Sequence, residues 1–233
     1  ANAFGMPVRF ADAQVEGITA LQGLDVACAE QLGYRIKLLG VAKRRKEGDA
    51  EGVELRVQPA LVPATHLLAH VNGSMNAVMV KGDASGVTMY YGAGAGSEQT
   101  ASAVIADLVD VARLQGTQAA QRVPHLGFHA DAVNDNLAVL PRAAVHTRHY
   151  LRVPVHQAQQ IEAVGAWLAA QQVPVARMEL ACEKAAPAGM GPQVLVLTDA
   201  VAQSTVDLAV HALAAHPAVA GPVAALRVEM LEG

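Results

Sequence analysis

The chain has 233 residues, of which 52% are hydrophobic but only 3% aromatic, and its formal net charge is −4. This length suits one or two domains with a core of alanine, valine and leucine. The absence of a basic stripe argues against nucleic-acid binding, and no apolar run reaches the ~20 residues that a membrane-spanning helix needs.

Metal and disulfide chemistry are not indicated either. Cys28 and Cys182 form no C-x-x-C motif, and the nine histidines show no H-E-x-x-H spacing. The basic run over residues 43–46 is predicted to be a solvated loop. Because residues 1–5 do not resemble a signal peptide, we expect a cytoplasmic protein.

The first part of the chain predicts an α+β unit with a mostly antiparallel sheet and helices on one face. The pattern predicts a short strand at 8–10 and a helix at 19–32, followed by paired antiparallel strands at 34–42 and 53–57 with a loop between them. Prolines at 59 and 63 are predicted to end this region. A short helix at 66–71 and a hairpin of strands 77–81 and 87–91 are predicted after it.

A glycine-rich turn follows this hairpin. Gly92, Gly94 and Gly96 alternate, and a long helical pattern then opens with apolar residues spaced for one buried face. Glycines before a helix start allow close approach of a phosphate or carboxylate to free backbone N–H groups. A tight turn with no ligand explains the same residues. The spacing is neither G-x-G-x-x-G nor a P-loop.

The second part of the chain predicts a compact β-α-β-β-α-β series. Residues 114–147 lose periodicity and indicate a linker over the surface. Strands are predicted at 150–155, 173–182, 193–198 and 223–229, with helices at 158–171 and 202–215. This order is the ferredoxin-like split arrangement in one small domain.

Several consecutive motifs resemble homoserine dehydrogenase. They are EGI at residues 16–18, EQLGYRIKLLG at 30–40, VNGSMNAV at 71–78, KGD at 81–83, and the stretch from Tyr90 through the glycines to Val104. The tail resembles the ACT regulatory domain of many bacterial members. The resemblance implies a partial catalytic and dimerisation domain at residues 1–115, a linker at 116–147 and an ACT-like domain at 148–233.

The resemblance also implies that the catalytic machinery is incomplete. Family members begin with a Rossmann domain for NAD or NADP, followed by a lysine that acts in proton transfer. That lysine precedes an Ala-Phe-Gly stretch, which matches residues 3–5 here, so we expect it upstream of Ala1 and no catalytic residue in this chain. Lys37 as a surrogate base is less favoured than a lysine of the sheet.

The family's cofactor contacts are represented by Gly96, with Gly94 and Thr100 as neighbours. Gln99 replaces the proline usual in the first helical turn, and proline there would pre-set φ. NAD and NADP are not distinguished, because the discriminating residue lies in the N-terminal domain.

The ACT resemblance departs at the effector turn. The usual Asp-x-x-Gly reads Gln157 and Gln160 at its two ends. A β-carbon at Gln160 would obstruct the effector, and the carboxylate is missing. We therefore expect weak or absent threonine binding.

The predicted function is the C-terminal part of a homoserine dehydrogenase, which interconverts L-homoserine and L-aspartate 4-semialdehyde with NAD(P). Exposed apolar strands predict a homodimer or higher assembly, and the isolated chain is expected to be inactive. The alternative is a non-catalytic amino-acid-binding or assembly module of ACT type.

Overall fold

The computed structural model describes residues 4–47, 50–117, 137–182 and 190–231. The α-helices in these ranges are α1 Gly23–Gln31, α2 Ser97–Leu114, α3 Ile161–Ala170 and α4 Gln203–Leu213. The strands are β1 Gln14–Val15, β2 Tyr34–Glu47, β3 Ala50–Pro63, β4 Met75–Gly82, β5 Gly86–Ala93, β6 Ala138–Val139, β7 His146–Pro154, β8 Val175–Leu180, β9 Gln193–Thr198, β10 Val201–Ala202 and β11 Ala224–Val228.

A long antiparallel hairpin of β2 and β3 forms the centre of the N-terminal part. The predicted loop over residues 43–52 is wrong, because β2 runs on to Glu47 and β3 begins at Ala50. Two of the basic side chains stabilise this extension: Lys43 reaches Glu229, and Arg45 Nε donates to Glu54 at 2.6 Å. The expected breaks at prolines 59 and 63 are also wrong, since both lie within β3 opposite residues of β2.

The N- and C-terminal parts share one sheet. Its described strands run in the order β1-β3-β11-β7-β9-β8, with β2 and β6 also on β3 and β10 on β7. The joint is the parallel pairing of β3 with β11, at Ala60 opposite Arg227 and Leu61 opposite Val228. The sheet is therefore mixed, because β1, β6 and β11 all lie parallel to β3.

The C-terminal half has the predicted β-α-β-β-α-β order. Strands β11, β7, β9 and β8 are neighbours in that sequence and pair antiparallel. This is the split arrangement expected from the alternation of strands and helices. Each observed element lies inside or within a few residues of its predicted span, which is ordinary scatter for element ends.

Helices cover both faces of the shared sheet, whereas the sequence predicted one face. On one side, α3 and α4 bury Val164, Leu168 and Leu213 against alternate residues of β7 and β9. On the other side, α1 buries Leu24 and Cys28 against Tyr150 and its neighbours. Side chains alternate along each strand, so β7 supplies both clusters.

Three further N-terminal predictions need correction. Residues 8–10 do not form a strand; a 3₁₀ turn lies at Phe10–Asp12 instead. Helix α1 begins at Gly23 rather than residue 19, because the Asp25 carboxylate accepts the Gln22 N–H at 3.0 Å and caps the helix there. The predicted short helix after β3 is a 3₁₀ turn at Leu67–His70.

Strands β4 and β5 form a separate two-stranded sheet that leads into α2. We call β4, β5 and α2 the arm. None of the described helices is long and apolar enough to cross a membrane. Most of the predicted linker, residues 118–136, lies outside the described residues, and β6 beyond it pairs with β3 at Gly52 and Val53.

Candidate functional site

The glycine corner, residues 92–97, joins β5 to α2 as the sequence predicted. Gly96 is the N-cap of α2 and has a φ of 139°, a left-handed conformation that side-chain-bearing residues rarely adopt. The first N–H groups of a helix have no partner within it, and they carry a partial positive charge. The corner therefore presents N–H donors, and Gly96 itself has no side chain to cover them.

The structure brings the three predicted cofactor residues together. Gly94, Gly96 and Thr100 line one open concavity of about 710 Å³, with the apolar side of the first two turns of α2 as its floor. Its other lining residues are Ala95, Ser97, Ala101, Val104 and Ile105. The Thr100 N–H donates to the Gly96 carbonyl at 3.0 Å and closes the first helical turn. An anion with an apolar extension would suit this shape and charge.

Gln99 covers part of the corner. A β-carbon at Gly96 would overlap the Gln99 carboxamide, so this side chain lies beside the glycine. Gln99 is exposed and its far end can move, so the concavity is not sealed. Glu98 in the first turn adds a negative charge near the helix start, which stabilises the helix dipole but opposes an incoming anion.

The predicted buried face of α2 is wrong for this chain. No residue of α2 is buried, and Val104, Ile105 and Leu108 are 52%, 59% and 63% exposed. The apolar spacing is present, but no described part of the chain packs on it. Tyr90 and Tyr91 at the end of β5 are exposed as well. Together these residues form an apolar surface around the corner of the kind that marks interaction sites.

Lys37 is bound into the fold at the base of the arm. Its Nζ donates to the Val71 carbonyl at 2.5 Å and to Asn72 Oδ1 at 2.9 Å. Partial burial and the nearby Arg35 charge lower the pKa of Lys37 below its ordinary value. These contacts fit a lysine that fastens a turn to the sheet, which the sequence favoured over a catalytic base.

The turn at residues 157–160, which the sequence predicted to be a degenerate effector turn, is occupied by its own side chain. Gln160 Oε1 accepts the Gln157 backbone N–H at 2.9 Å, and residues Ala158–Gln160 form a 3₁₀ turn before α3. Gln160 itself has helical backbone angles. The two glutamines thus bind one another where an aspartate and a glycine would leave a gap.

A buried polar junction between the two halves was missed by the sequence analysis. Glu54 on β3 accepts hydrogen bonds from Arg45, Arg56 and Arg227, and Arg56 also pairs with Glu229. Burial disfavours the Glu54 carboxylate, but the arginines outweigh burial and hold the pKa of Glu54 below its ordinary value. The alternation of charged with apolar residues at positions 54 and 56, and again at 227 and 229, was the sequence signal that could have predicted this junction.

His149 lies at the edge of this junction. It is 1% exposed, and its Nε2 lies 3.1 Å from Gln203 Oε1, which also accepts from Arg227 Nε at 2.7 Å. Burial lowers the pKa of His149 to about 4, so the imidazole is neutral at pH 7. The junction is structural in character, since it lies within the sheet and faces no concavity that we identify.

Comparisons with known proteins identify the relatives of this chain. A sequence model described as homoserine dehydrogenase matches residues 1–109. Homoserine dehydrogenase of Pseudomonas aeruginosa is 45% identical over 98% of the chain and 51% of its own length. The enzyme of Neisseria gonorrhoeae is 41% identical over 99% of the chain and 52% of its own length.

Solved structures agree with the sequence matches. A homoserine dehydrogenase from Thiobacillus denitrificans superposes with a TM-score of 0.83 at 44% identity, covering 98% of the chain and 50% of its own. The enzyme from S. aureus gives a TM-score of 0.63 at 26% identity, with the same coverage. The chain thus spans about half the length of the proteins it matches.

Proposed function

Because the chain belongs to the homoserine dehydrogenase family, we propose that it supplies part of an enzyme that interconverts L-homoserine and L-aspartate 4-semialdehyde with NADP or NAD. In this proposal residues 1–115 form the partial catalytic and dimerisation domain and residues 116–147 a linker. Residues 148–233 form an ACT-like domain.

The open glycine corner is the observation that carries the proposal. A pyrophosphate needs backbone donors, positive potential and no β-carbon in its way, and the corner at Gly96 supports all three. The apolar residues along α2 would face the remainder of a dinucleotide site. The nicotinamide group supplies the hydride chemistry when bound, and the residues of this chain bind and orient its phosphate end.

Proton transfer is assigned outside this chain. Lys37, the first lysine of the sequence, is held by Val71 and Asn72 rather than facing the corner. We therefore propose that the family's catalytic lysine belongs to a preceding segment. The 233-residue chain alone should not turn over substrate.

Activity measurements test this assignment. Aspartate semialdehyde and NADPH are added to the chain alone, and absorbance of the reduced nicotinamide is followed. We expect no decrease with the chain alone, and a decrease when it is fused behind a family dinucleotide-binding segment that carries the lysine. A Gly96→Trp variant of the fusion, which fills the corner, should be inactive. Turnover by the chain alone, or by that variant, would contradict the proposal.

For the C-terminal half we propose an assembly role with weak or absent threonine binding. The contact between Gln157 and Gln160 occupies the effector turn, and no carboxylate is available there to hold an amino group. Calorimetry with threonine and the intact chain should give no saturable heat. Tight binding would instead favour the alternative function, an amino-acid-binding module.

The exposed apolar residues of the arm favour a homodimer or higher assembly. Val78, Val80 and Tyr90 are 61%, 47% and 70% exposed, and a two-stranded sheet is marginal without cover. We also propose a cytoplasmic location, and a small-molecule substrate rather than a nucleic-acid partner. Sedimentation of the chain over a range of concentrations tests the assembly, and a monomer at all concentrations would contradict it.

A further inference from the structure

The shape of the glycine corner is held by few contacts. Since no residue of α2 is buried, the helix does not brace the corner against the main sheet. Apart from the Thr100 N–H bond to the Gly96 carbonyl within the helix start, a backbone hydrogen bond runs from the Gly94 N–H to the Ser74 carbonyl at 3.2 Å, a moderate length. Other side chains must therefore fix how the corner presents its N–H groups.

Asn76 on β4 is the side chain that lies against Gly94. Asn76 is the register partner of Gly92, so it stands beside the corner across the hairpin. A β-carbon added to Gly94 would overlap the Asn76 carboxamide, because it would lie 2.5 Å from Asn76 Cγ. Gly94 does not have a positive φ, so its lack of a side chain is needed for space and not for backbone conformation.

The turn before β4 connects Asn76 to the main sheet. Asn72 Oδ1 accepts from Lys37 on β2, and Asn72 Nδ2 donates to the His70 carbonyl at 3.1 Å. The Asn72 carbonyl accepts the Met75 N–H at 3.2 Å, and Gly73 takes a φ of 63° to make the turn. A continuous series of contacts thus runs from β2 through this turn to the start of β4.

We propose that Asn76 is a positioning residue of the glycine corner, and that Lys37 anchors it to the main sheet. Asn76 occupies the space beside Gly94 and restricts that backbone, so the N–H groups at the helix start keep a fixed direction. The effect of Asn76 on NADP binding rests on the proposed function, but its effect on the backbone mobility of the corner does not.

A coupling experiment on the intact chain tests the pair. Backbone ¹⁵N relaxation of Gly94 and Gly96 is measured in the wild type, Asn76→Ala, Gly94→Ala and the double variant. We expect both single variants to increase the mobility of these two amides, and the double variant to be no worse than the singles. Residues in contact show such non-additivity. Additive effects, or an unchanged corner in Asn76→Ala, would overturn the proposal.

NADP⁺ titrations of the same samples give the functional readout. Amide shifts of Gly96 and Thr100 should show binding at millimolar NADP⁺, weakened on the order of five-fold in either single variant. If the wild type shows no shifts, the cofactor assignment for this chain fails, while the relaxation data still decide the role of Asn76. If all variants bind equally, the positioning role is wrong and the cofactor assignment stands.

Lys37→Met tests the anchor, with Lys46→Met as the matched control on the same strand. Lys37→Met should increase the mobility of residues 72–76 and of Gly94. The thermal unfolding midpoint of the chain should not change. Lys46 is exposed near the far end of β2, so its replacement should leave those amides unchanged. Equal effects of the two substitutions would show that Lys37 contributes only general stability.

Discussion

The shared sheet and the arm are built on opposite principles. In the shared sheet, buried apolar clusters lie on both faces and charged side chains are paired inside. In the arm, apolar side chains of β4, β5 and α2 are exposed, and β4 pairs only with its hairpin neighbour β5 among the described strands. The sheet is stabilised by its own buried contacts, whereas the arm leaves its apolar side chains exposed.

The largest expected effect comes from the polar junction of the sheet. Glu54→Ala leaves Arg56 and Arg227 buried without their shared carboxylate, and we expect a loss of about 3–5 kcal/mol in the free energy of unfolding. Urea denaturation measures it. Glu51→Ala is the matched control, because Glu51 pairs with Arg44 at the surface, and we expect about 1 kcal/mol or less. Similar losses for the two variants would remove the distinction between buried and exposed charge here.

Leucine-to-alanine substitutions in α3 and in α2 compare how much each helix contributes to stability. Leu168 in α3 is fully buried, so Leu168→Ala should cost about 2–5 kcal/mol through lost burial and a cavity. Leu108 in α2 is 63% exposed, so Leu108→Ala should change stability by about 0.5 kcal/mol or less. Both changes in the free energy of unfolding are measured by urea denaturation at low protein concentration. A large loss for Leu108 would mean that α2 is covered, most simply by a second copy.

The pH dependence of stability should come from the sheet and not the arm. The pKa of His149 is about 4 when folded and about 6.5 when unfolded, so the unfolded chain binds the extra proton between these values. Stability is therefore lost as pH falls, by about 2 kcal/mol between pH 7 and pH 5. His149→Gln should flatten this dependence in urea titrations at the two pH values. An unchanged slope would show that His149 titrates normally.

The smallest effect is expected at the corner itself. Gln99→Ala removes an exposed side chain beside Gly96, so stability should change by about 0.5 kcal/mol or less. Binding of NADP⁺, followed by amide shifts, should be equal or stronger because the concavity is opened. Weaker binding would mean that Gln99 contacts the ligand rather than covering its site.

The sequence predicted well the features that depend on local periodicity. The hairpin of β4 and β5, the start of α2 after Gly96, and the order of elements after residue 146 all follow from alternation, helical spacing and glycine positions. The meeting of Gly94, Gly96 and Thr100 follows as well, because they lie close together in the chain.

Features that depend on distant contacts were not predictable in the same way. The charged run at residues 43–46 reads as a loop, yet Lys43 and Arg45 lie within β2, where they pair with Glu229 just after β11 and with Glu54 on β3. The apolar face of α2 is predicted to be buried from its spacing, yet none of its residues is buried. Asn76 lies within the VNGSMNAV stretch, but its position beside Gly94 depends on the pairing of β4 with β5 and is visible only in the structure.

The parallel pairing of β3 with β11 has a consequence for modularity. A C-terminal regulatory unit that merely hung from a linker could be lost or exchanged between proteins without harm to the rest. Here β11, the last strand of the C-terminal half, pairs with β3 of the N-terminal half. Arg227 forms an ion pair with Glu54 of β3, and Glu229 forms one with Arg56. Removal of the C-terminal half would leave Glu54 and Arg56 of β3 without these partners, so each half is expected to depend on the other for its stability.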